Sequence, residues 1–277
     1  MVATALEVWG DPVSHSLSPT LHRAAYAHLG WSWTYDRRRV GEDEFSDALA
    51  SLGSEYRGLS CTMPLKGVAF RAGAEHDTRS ALTGASNTLL LTGSVPRAYN
   101  TDVGGIVRAL ADSGIHALDS ARILGAGATA ASALVALSEI GARDVEVVAR
   151  RPEAVTALSE IGARLGVAVR PAALTVPTYD PRPVTVSTLP GGIDLAADTV
   201  ERLAMAGGLL FDVVYGRGPT PLGSAWRAAG HPAQNGEGML LHQAVLQVRL
   251  FASGDIDEPL PDEPAVVAVM RRALVGG

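Results

Sequence analysis

Lys66 is the only lysine among the 23 basic residues of this 277-residue chain, the other 22 being arginines. Asparagine is almost as scarce, occurring at Asn87, Asn100 and Asn235 alone. Arginine cannot replace lysine where a proton must move, because the ammonium pKa shifts readily in a site whereas a guanidinium stays protonated. Lys66 closes the run Ser60-Cys61-Thr62-Met63-Pro64-Leu65-Lys66, which leads from a strand into a helix. A cation at a helix start opposes the helix dipole, so stability alone does not account for it. Asn87 lies in Gly84-Ala85-Ser86-Asn87-Thr88 and Asn100 in Asn100-Thr101-Asp102-Val103-Gly104-Gly105. Asn235 lies in Gln234-Asn235-Gly236-Glu237-Gly238-Met239-Leu240, shortly before Gln243. All four scarce residues stand at turns or near element ends.

Two further segments have anion-binding chemistry. In Ser14-His15-Ser16-Leu17-Ser18-Pro19, the serines at a helix start offer hydroxyl and backbone donors suited to a carboxylate, although an ordinary helix cap has the same composition. Gly125-Ala126-Gly127-Ala128-Thr129-Ala130 joins a strand to an Ala-rich helix. There the first glycine permits a tight turn, the second lets the backbone approach a pyrophosphate, and the helix start supplies free N–H groups. With a second strand following, this context predicts dinucleotide binding. That strand ends Val147-Val148-Ala149-Arg150-Arg151-Pro152, with two arginines at its tip and Glu146 inside it. Arginine there suits the 2′-phosphate of NADP, where an acid would suit the ribose of NAD.

Short β-like runs alternating with helical patterns must position these residues, which predicts an α/β architecture with parallel sheets. Strands are expected at 5–9, 33–39 and 56–62, with helices at 18–28 (Ser18 as N-cap) and 42–52. A hairpin is expected from 85–91 and 95–99, and a helix from 102 to 112 capped by Thr101. Beyond it the pattern predicts strands at 121–124, 145–149, 184–187 and 209–213, helices to about 140 and over 152–165, and two closing helices at 236–252 and 264–274.

Composition removes other classes. The chain is 47% hydrophobic, which excludes disorder, and its net charge of −6 argues against sequence-independent nucleic-acid binding. No apolar run reaches the length of a membrane helix, and residues 1–11 lack a signal-peptide pattern, so a soluble, cytoplasmic protein is expected. A single cysteine excludes an intramolecular disulfide, and seven scattered histidines, of which only His15 and His22 share a segment, predict no metal site.

Taken in order, the Ser-x-Ser-Pro segment, Thr-x-Pro-x-Lys loop, Gly-Ala-x-Asn-Thr strand and Asn-Thr-Asp-x-x-Gly helix start are similar to those of shikimate dehydrogenases. So are the Gly-Ala-Gly turn, Asp-x-x-Tyr with Thr-Pro-Leu, and Asn-Gly-x-x-Met-Leu-x-x-Gln, and the resemblance spans nearly the whole chain. It implies an α/β fold of two domains: a substrate domain (1–103 plus 238–277) completed by the C-terminal helices, and an inserted Rossmann-like NADP domain (104–237). It implies reversible NADP-dependent reduction of 3-dehydroshikimate to shikimate, in the aromatic amino-acid pathway, with a small-molecule substrate and neither nucleic acid nor membrane as partner. The sequence does not set the oligomeric state; a homodimer is the assembly to test.

Carried over residue by residue, Ser16 and Ser18 would hold the substrate carboxylate, with Tyr215 near it. Thr62, Lys66, Asn87, Asp102 and Gln243 would contact ring hydroxyls, Lys66 and Asp102 being the catalytic pair. Gly125, Ala126, Gly127, Ala128, Thr129, Ala130, Arg150 and Arg151 would bind NADP, and Val213, Gly236, Gly238 and Met239 would also line the cofactor. Three departures are visible. Ser60 stands where the family usually has Asn, Ala149 and Arg151 flank Arg150 in place of Asn and Thr, and Val186-Ser187-Thr188-Leu189 replaces an Asn-Ala-Thr-Ser stretch. The alternatives are a quinate/shikimate dehydrogenase using the more hydroxylated ring or NAD, a non-catalytic nucleotide-binding regulator, and a methylenetetrahydrofolate dehydrogenase, which leaves the serine motif unexplained.

Overall fold

The computed structural model describes residues 4–216 and 218–275, which form two compact units. Residues 1–105 and 240–277 make one, and residues 106–239 the other. No described helix is long and apolar enough to cross a membrane.

The first unit contains strands β1 (Ala5–Gly10), β2 (Thr34–Arg39), β3 (Tyr56–Cys61), β4 (Glu75–His76), β5 (Thr88–Leu90) and β6 (Arg97–Tyr99), which form one sheet in the order β2-β1-β3-β5-β6-β4. Helices α1 (Ser18–Leu29), α2 (Phe45–Ala50), α3 (Lys66–Ala72), α4 (Thr78–Thr83) and α5 (Thr101–Asp112) connect them, and α10 (Glu237–Ser253) and α11 (Glu263–Val275) return at the end of the chain. The chain passes from one unit to the other within α5 and back within α10. The sheet is mixed rather than parallel throughout, because the β5–β6 hairpin runs antiparallel both within itself and against β3. Leu6, Val8 and Trp9 of β1 are all buried, as befits a central strand covered on both faces. On one side Trp9 meets the edge of Phe45 at 5.6 Å between ring centroids, among Leu59, Leu65 and Leu89. Elsewhere in the unit α1 packs along α11.

The elements of the second unit are β7 (Ser120–Leu124), α6 (Ala128–Glu139), β8 (Asp144–Ala149), α7 (Thr156–Leu165), β9 (Ala168–Ala173), β10 (Val184–Ser187), α8 (Ala197–Met205), β11 (Leu209–Asp212), α9 (Pro221–Ala228) and β12 (Ala233–Gln234). Its sheet is wholly parallel, in the order β12-β11-β10-β7-β8-β9. Counted within the unit this is the order 3-2-1-4-5-6 of doubly wound dinucleotide folds, which reverses between β7 and β10. Six alanines and leucines of α6, from Ala130 to Leu137, are buried, their small side chains letting the helix lie close on the sheet.

Several sequence-based expectations differ from these elements. Helix α2 starts at Phe45 rather than Glu42, because the Gly41 N–H donates to the Glu44 carboxylate (2.9 Å) and holds 41–44 in a turn. Ser18 is the first helical residue of α1 rather than its cap; the Ser16 hydroxyl accepts from the Ser18 N–H at 3.3 Å. At α5, Thr101 is already helical and the Asn100 side chain accepts from the Asp102 N–H (3.1 Å). Residues 152–155 form a 3-10 turn ahead of α7. Pro171 hides strand β9 in the sequence, and it is tolerated because β9 is an edge strand. The short helices α4, α8 and α9 carry too few turns for a clear apolar period.

A polar seam runs under the apolar first unit. His22 of α1 is fully buried, stacked on the Tyr35 ring (3.9 Å between centroids), with Nδ1 at 3.0 Å from the Tyr26 hydroxyl and Nε2 at 3.2 Å from the Gln247 carbonyl oxygen. Burial drives its pKa down to about 3, against the hydrogen bond to Gln247, so the imidazole is neutral. The unfolded chain takes up a proton near pH 6.5 that the folded state refuses, so this group's penalty is absent above pH 6.5 and grows as pH falls toward 3. Between pH 7 and 5 wild-type protein should lose about 2 kcal/mol of stability that a His22→Gln variant does not lose, a difference readable in urea midpoints of both chains at the two pH values. Equal pH slopes would show that His22 does not carry this dependence.

Candidate active site

The C-terminal ends of β1, β3 and β6 and the start of β5 lie along one edge of the first sheet, and their loops carry most of the polar residues singled out in the sequence. After β1, Ser16 and Ser18 are both buried, with the Ser16 hydroxyl donating to the Ser18 hydroxyl at 3.3 Å. Arg37 of β2 fixes this loop by donating twice to the Ser16 carbonyl, at 2.8 and 2.5 Å. After β3, the Thr62 N–H donates to the Trp9 carbonyl (2.9 Å), holding this loop beside the end of β1. A side chain on Gly10 would stand 2.4 Å from the Thr62 methyl group, so only glycine lets the two loops approach this closely.

Lys66, the first residue of α3, donates from Nζ to Asp102 Oδ2 at 2.6 Å. The side chains are 15% and 7% exposed, so the pair is largely shielded yet Lys66 reaches the surface of the site. The Asp102 Oδ1 atom accepts from Asn87 Nδ2 at 2.8 Å, and the same Nδ2 lies 3.3 Å from Gln243 Oε1 of α10. Asn87 Oδ1 accepts from the Thr101 N–H at 2.8 Å. Aspartate at position 87 would lose the donor to Asp102, and serine would not span both groups. Ser16, Ser18, Thr62, Lys66, Asn87, Asp102 and Gln243 thus belong to one unit, and Lys66, Asp102, Asn87 and Gln243 form a connected cluster within it.

The remaining residues belong to the second unit or to the start of α10. The half-buried Tyr215 follows β11. Gly236 lies where a Cβ would fall 2.0 Å from the Val213 carbonyl oxygen, so backbone packing accounts for glycine there. Asn235 accepts from the Glu237 N–H (3.3 Å) and caps α10, which carries Gly238 and the buried Met239. Asp212 at the end of β11 accepts from Thr220 Oγ1 at 2.7 Å and from the Val214 N–H, and burial raises its carboxyl pKa. This ties the Tyr215 loop to the start of α9.

Where the strand order reverses, a cleft of about 330 Å³ is lined by Gly125, Gly127, Arg150, Arg151, Thr188 and neighbouring apolar residues. Gly125 has φ +106°, and a side chain there would stand 2.6 Å from Thr188 Oγ1, so the turn requires glycine. Gly127 is the N-cap of α6, and the point a Cβ would occupy is open space in front of the helix start. Ala128, Thr129 and Ala130 form the first turn of α6, whose N–H groups point toward this space, with Ala126 between the two glycines. Arg150 and Arg151 are exposed at the tip of β8, while Glu146 is turned away into an ion pair with the fully buried Arg122. An open helix start and two exposed cations at the strand tip fit a phosphorylated dinucleotide.

Among the described residues, no group of three or more His, Cys, Asp or Glu side chains is placed to hold a metal. Cys61 is buried and its thiol pKa is pushed up to about 12, so it is inert as a nucleophile. Sequence reasoning missed Arg37, Tyr35 and Gln247. Arg37 and Tyr35 had no signal beyond strand alternation, whereas Gln247 stands one turn after Gln243 in an otherwise apolar stretch, and that polar break was the available sign.

Residues 8–89 match the family model of the shikimate dehydrogenase substrate binding domain. A shikimate dehydrogenase (NADP(+)) of Bordetella avium is 33% identical over 97% of this chain and 95% of its own length. The crystal structure of Mycobacterium tuberculosis shikimate dehydrogenase superposes with a TM-score of 0.84 at 36% identity, covering 99% of this chain and 100% of the other. The shikimate 5-dehydrogenase of Thermus thermophilus, solved in complex with NADP(H) and shikimate, superposes with a TM-score of 0.79 at 29% identity, covering 98% and 100%. Similar over nearly its full length in sequence and in fold to these enzymes, the chain belongs to the shikimate dehydrogenase family.

Proposed function

We propose that this protein catalyses the reversible NADP-dependent reduction of 3-dehydroshikimate to shikimate, with Lys66 and Asp102 as the catalytic pair. The observation that carries this reading is the shielded 2.6 Å contact of the only lysine with Asp102, inside a cluster of amide side chains. NADPH, when bound, supplies a hydride to the ketone carbon. Negative charge then develops on the ketone oxygen, and the Lys66 ammonium delivers a proton there. Asp102 orients that ammonium through Oδ2, while Asn87 fixes the carboxylate through Oδ1. In the oxidative direction the neutral amine of Lys66 takes the proton from the hydroxyl.

Ser16 and Ser18 are suited to hold the substrate carboxylate, with Tyr215 assigned to the same group on the family pattern, and Thr62, Asn87 and Gln243 to receive the ring hydroxyls. The glycine turn of 125–127 with the first turn of α6 suits the pyrophosphate, and Arg150 with Arg151 the 2′-phosphate. The Thermus thermophilus relative was solved in complex with NADP(H) and shikimate, which supports the pairing of this substrate with this cofactor. Val213, Gly236 and Met239 are assigned to the nicotinamide side on the family pattern. The diffusible substrate and cofactor accord with a cytoplasmic enzyme.

In assays of shikimate oxidation followed at the absorbance of the reduced nicotinamide, Lys66→Arg should lower kcat at least about 100-fold with a much smaller change in KM, and Asp102→Asn should lower kcat as well. A Lys66→Arg enzyme with near wild-type kcat would remove lysine from the chemistry. Arg150→Ala should raise the KM for NADP about tenfold or more while leaving the weaker use of NAD unchanged, because only NADP presents the phosphate. Wild-type preference for NAD, or for quinate over shikimate in parallel assays, would favour the broader quinate/shikimate activity instead.

A further inference from the structure

We infer that Gln247 is a positioning residue for the reaction, orienting Asn87 and through it Asp102 and Lys66; this rests on the reading of Lys66 and Asp102 as the catalytic pair. Gln247 is 1% exposed and lies one turn beyond Gln243 on α10, so both carboxamides project from the same helix face toward Asn87. Its Nε2 donates to the Thr88 hydroxyl (2.9 Å) and to the Asn87 carbonyl (3.2 Å). The Thr88 hydroxyl, held as an acceptor by Gln247, donates onward to Asn87 Oδ1 at 3.0 Å. That oxygen also receives the Thr101 N–H that opens α5, and the other end of the same carboxamide donates to Asp102 Oδ1. A continuous line of donors and acceptors therefore runs from Gln247 to the carboxylate that holds the Lys66 ammonium.

The far side of Gln247 fixes its orientation. Its Oε1 accepts from the Ser60 hydroxyl at 2.8 Å and faces His22 Nε2 at 3.2 Å. Ser60 in turn accepts from the Tyr35 hydroxyl at 2.5 Å, and Tyr35 stays protonated because burial raises its pKa. His22 is neutral, so with Nδ1 accepting from the Tyr26 hydroxyl its proton is on Nε2, where it donates to Gln247. Two donors thus converge on Oε1, while Nε2 faces two acceptors, which leaves one orientation of the amide. Ser60 is the position at which the family usually has Asn. In this chain its hydroxyl is engaged on both sides by protein, and Gln247 extends from α10 to complete the connection to Asn87.

Gln247→Met keeps the length and packing while deleting the amide. In the purified full-length enzyme it should lower kcat for shikimate oxidation about tenfold, because a small misplacement of the reacting pair is costly, with KM for shikimate and NADP within about twofold of wild type. Thr88→Val interrupts the same line one step later and should give a similar loss. The double variant should lose no more than about twofold beyond either single one, since both act through Asn87. A Gln247→Met enzyme of lower thermal midpoint but unchanged kcat, or losses that multiply in the double variant, would overturn the inference. If Gln247→Met does not fold, wild-type kcat in Thr88→Val overturns it equally. A wild-type kcat in Lys66→Arg sinks the catalytic pair itself; an inactive Lys66→Arg beside a fully active Gln247→Met sinks the positioning role alone.

Discussion

The carboxamide of Asn87 has four jobs that only an asparagine can combine. Its oxygen receives the first N–H of α5 and the Thr88 hydroxyl, while its nitrogen donates to Asp102 and approaches Gln243. Because Asn87 precedes β5, Asp102 lies in the first turn of α5 and Gln243 sits on α10, one side chain registers a strand and two helices against each other. The Lys66 loop is held to the same point, since Cys61 and Ser86 donate their backbone N–H groups to the carbonyls of Asn87 and Lys66. Buried polar groups of this kind cost free energy when unpaired, so the arrangement tolerates few alternatives. Lys66 is therefore placed by hydrogen bonding around it.

The second unit solves a different problem with different means. A dinucleotide needs backbone donors and space, and the reversal of strand order between β7 and β10 opens that space where two βα turns diverge. Gly125 allows the turn and Gly127 leaves the ground in front of α6 clear. Glu146 of β8 is paired with the buried Arg122 inside the unit, while Arg150 and Arg151 are exposed at the strand tip.

Much of this was legible in the sequence because it is local. Strand, glycine turn and helix are contiguous from Ala121 to Ile140, and motifs such as Ser-x-Ser-Pro carry their meaning within a few residues. The scarcity of lysine and asparagine singled out Lys66, Asn87, Asn100 and Asn235, and the structure gives each asparagine a backbone N–H at a helix start to accept. Local reading fell short in detail elsewhere. Thr101 and Ser18 read as caps from their neighbours, yet Asn100 and Ser16 accept the hydrogen bonds. Pro171 obscured a strand that only its edge position makes tolerable; the expected hairpin is present as β5–β6, and its antiparallel pairing with β3 makes the first sheet mixed rather than parallel throughout.

By itself the sequence determined the α/β class, the dinucleotide turn, the residue types able to move a proton and the family these belong to, because all of these are written in contiguous motifs and in composition. Only the tertiary structure decided which of those residues touch. The contacts of Arg37 with Ser16, Tyr35 with Ser60 and Gln247 with Thr88 join positions 21, 25 and 159 residues apart, and no local period encodes such pairings. The physical reason is that a hydrogen bond depends on angles and distances set by how sheets and helices pack, which a residue's sequence neighbours do not specify.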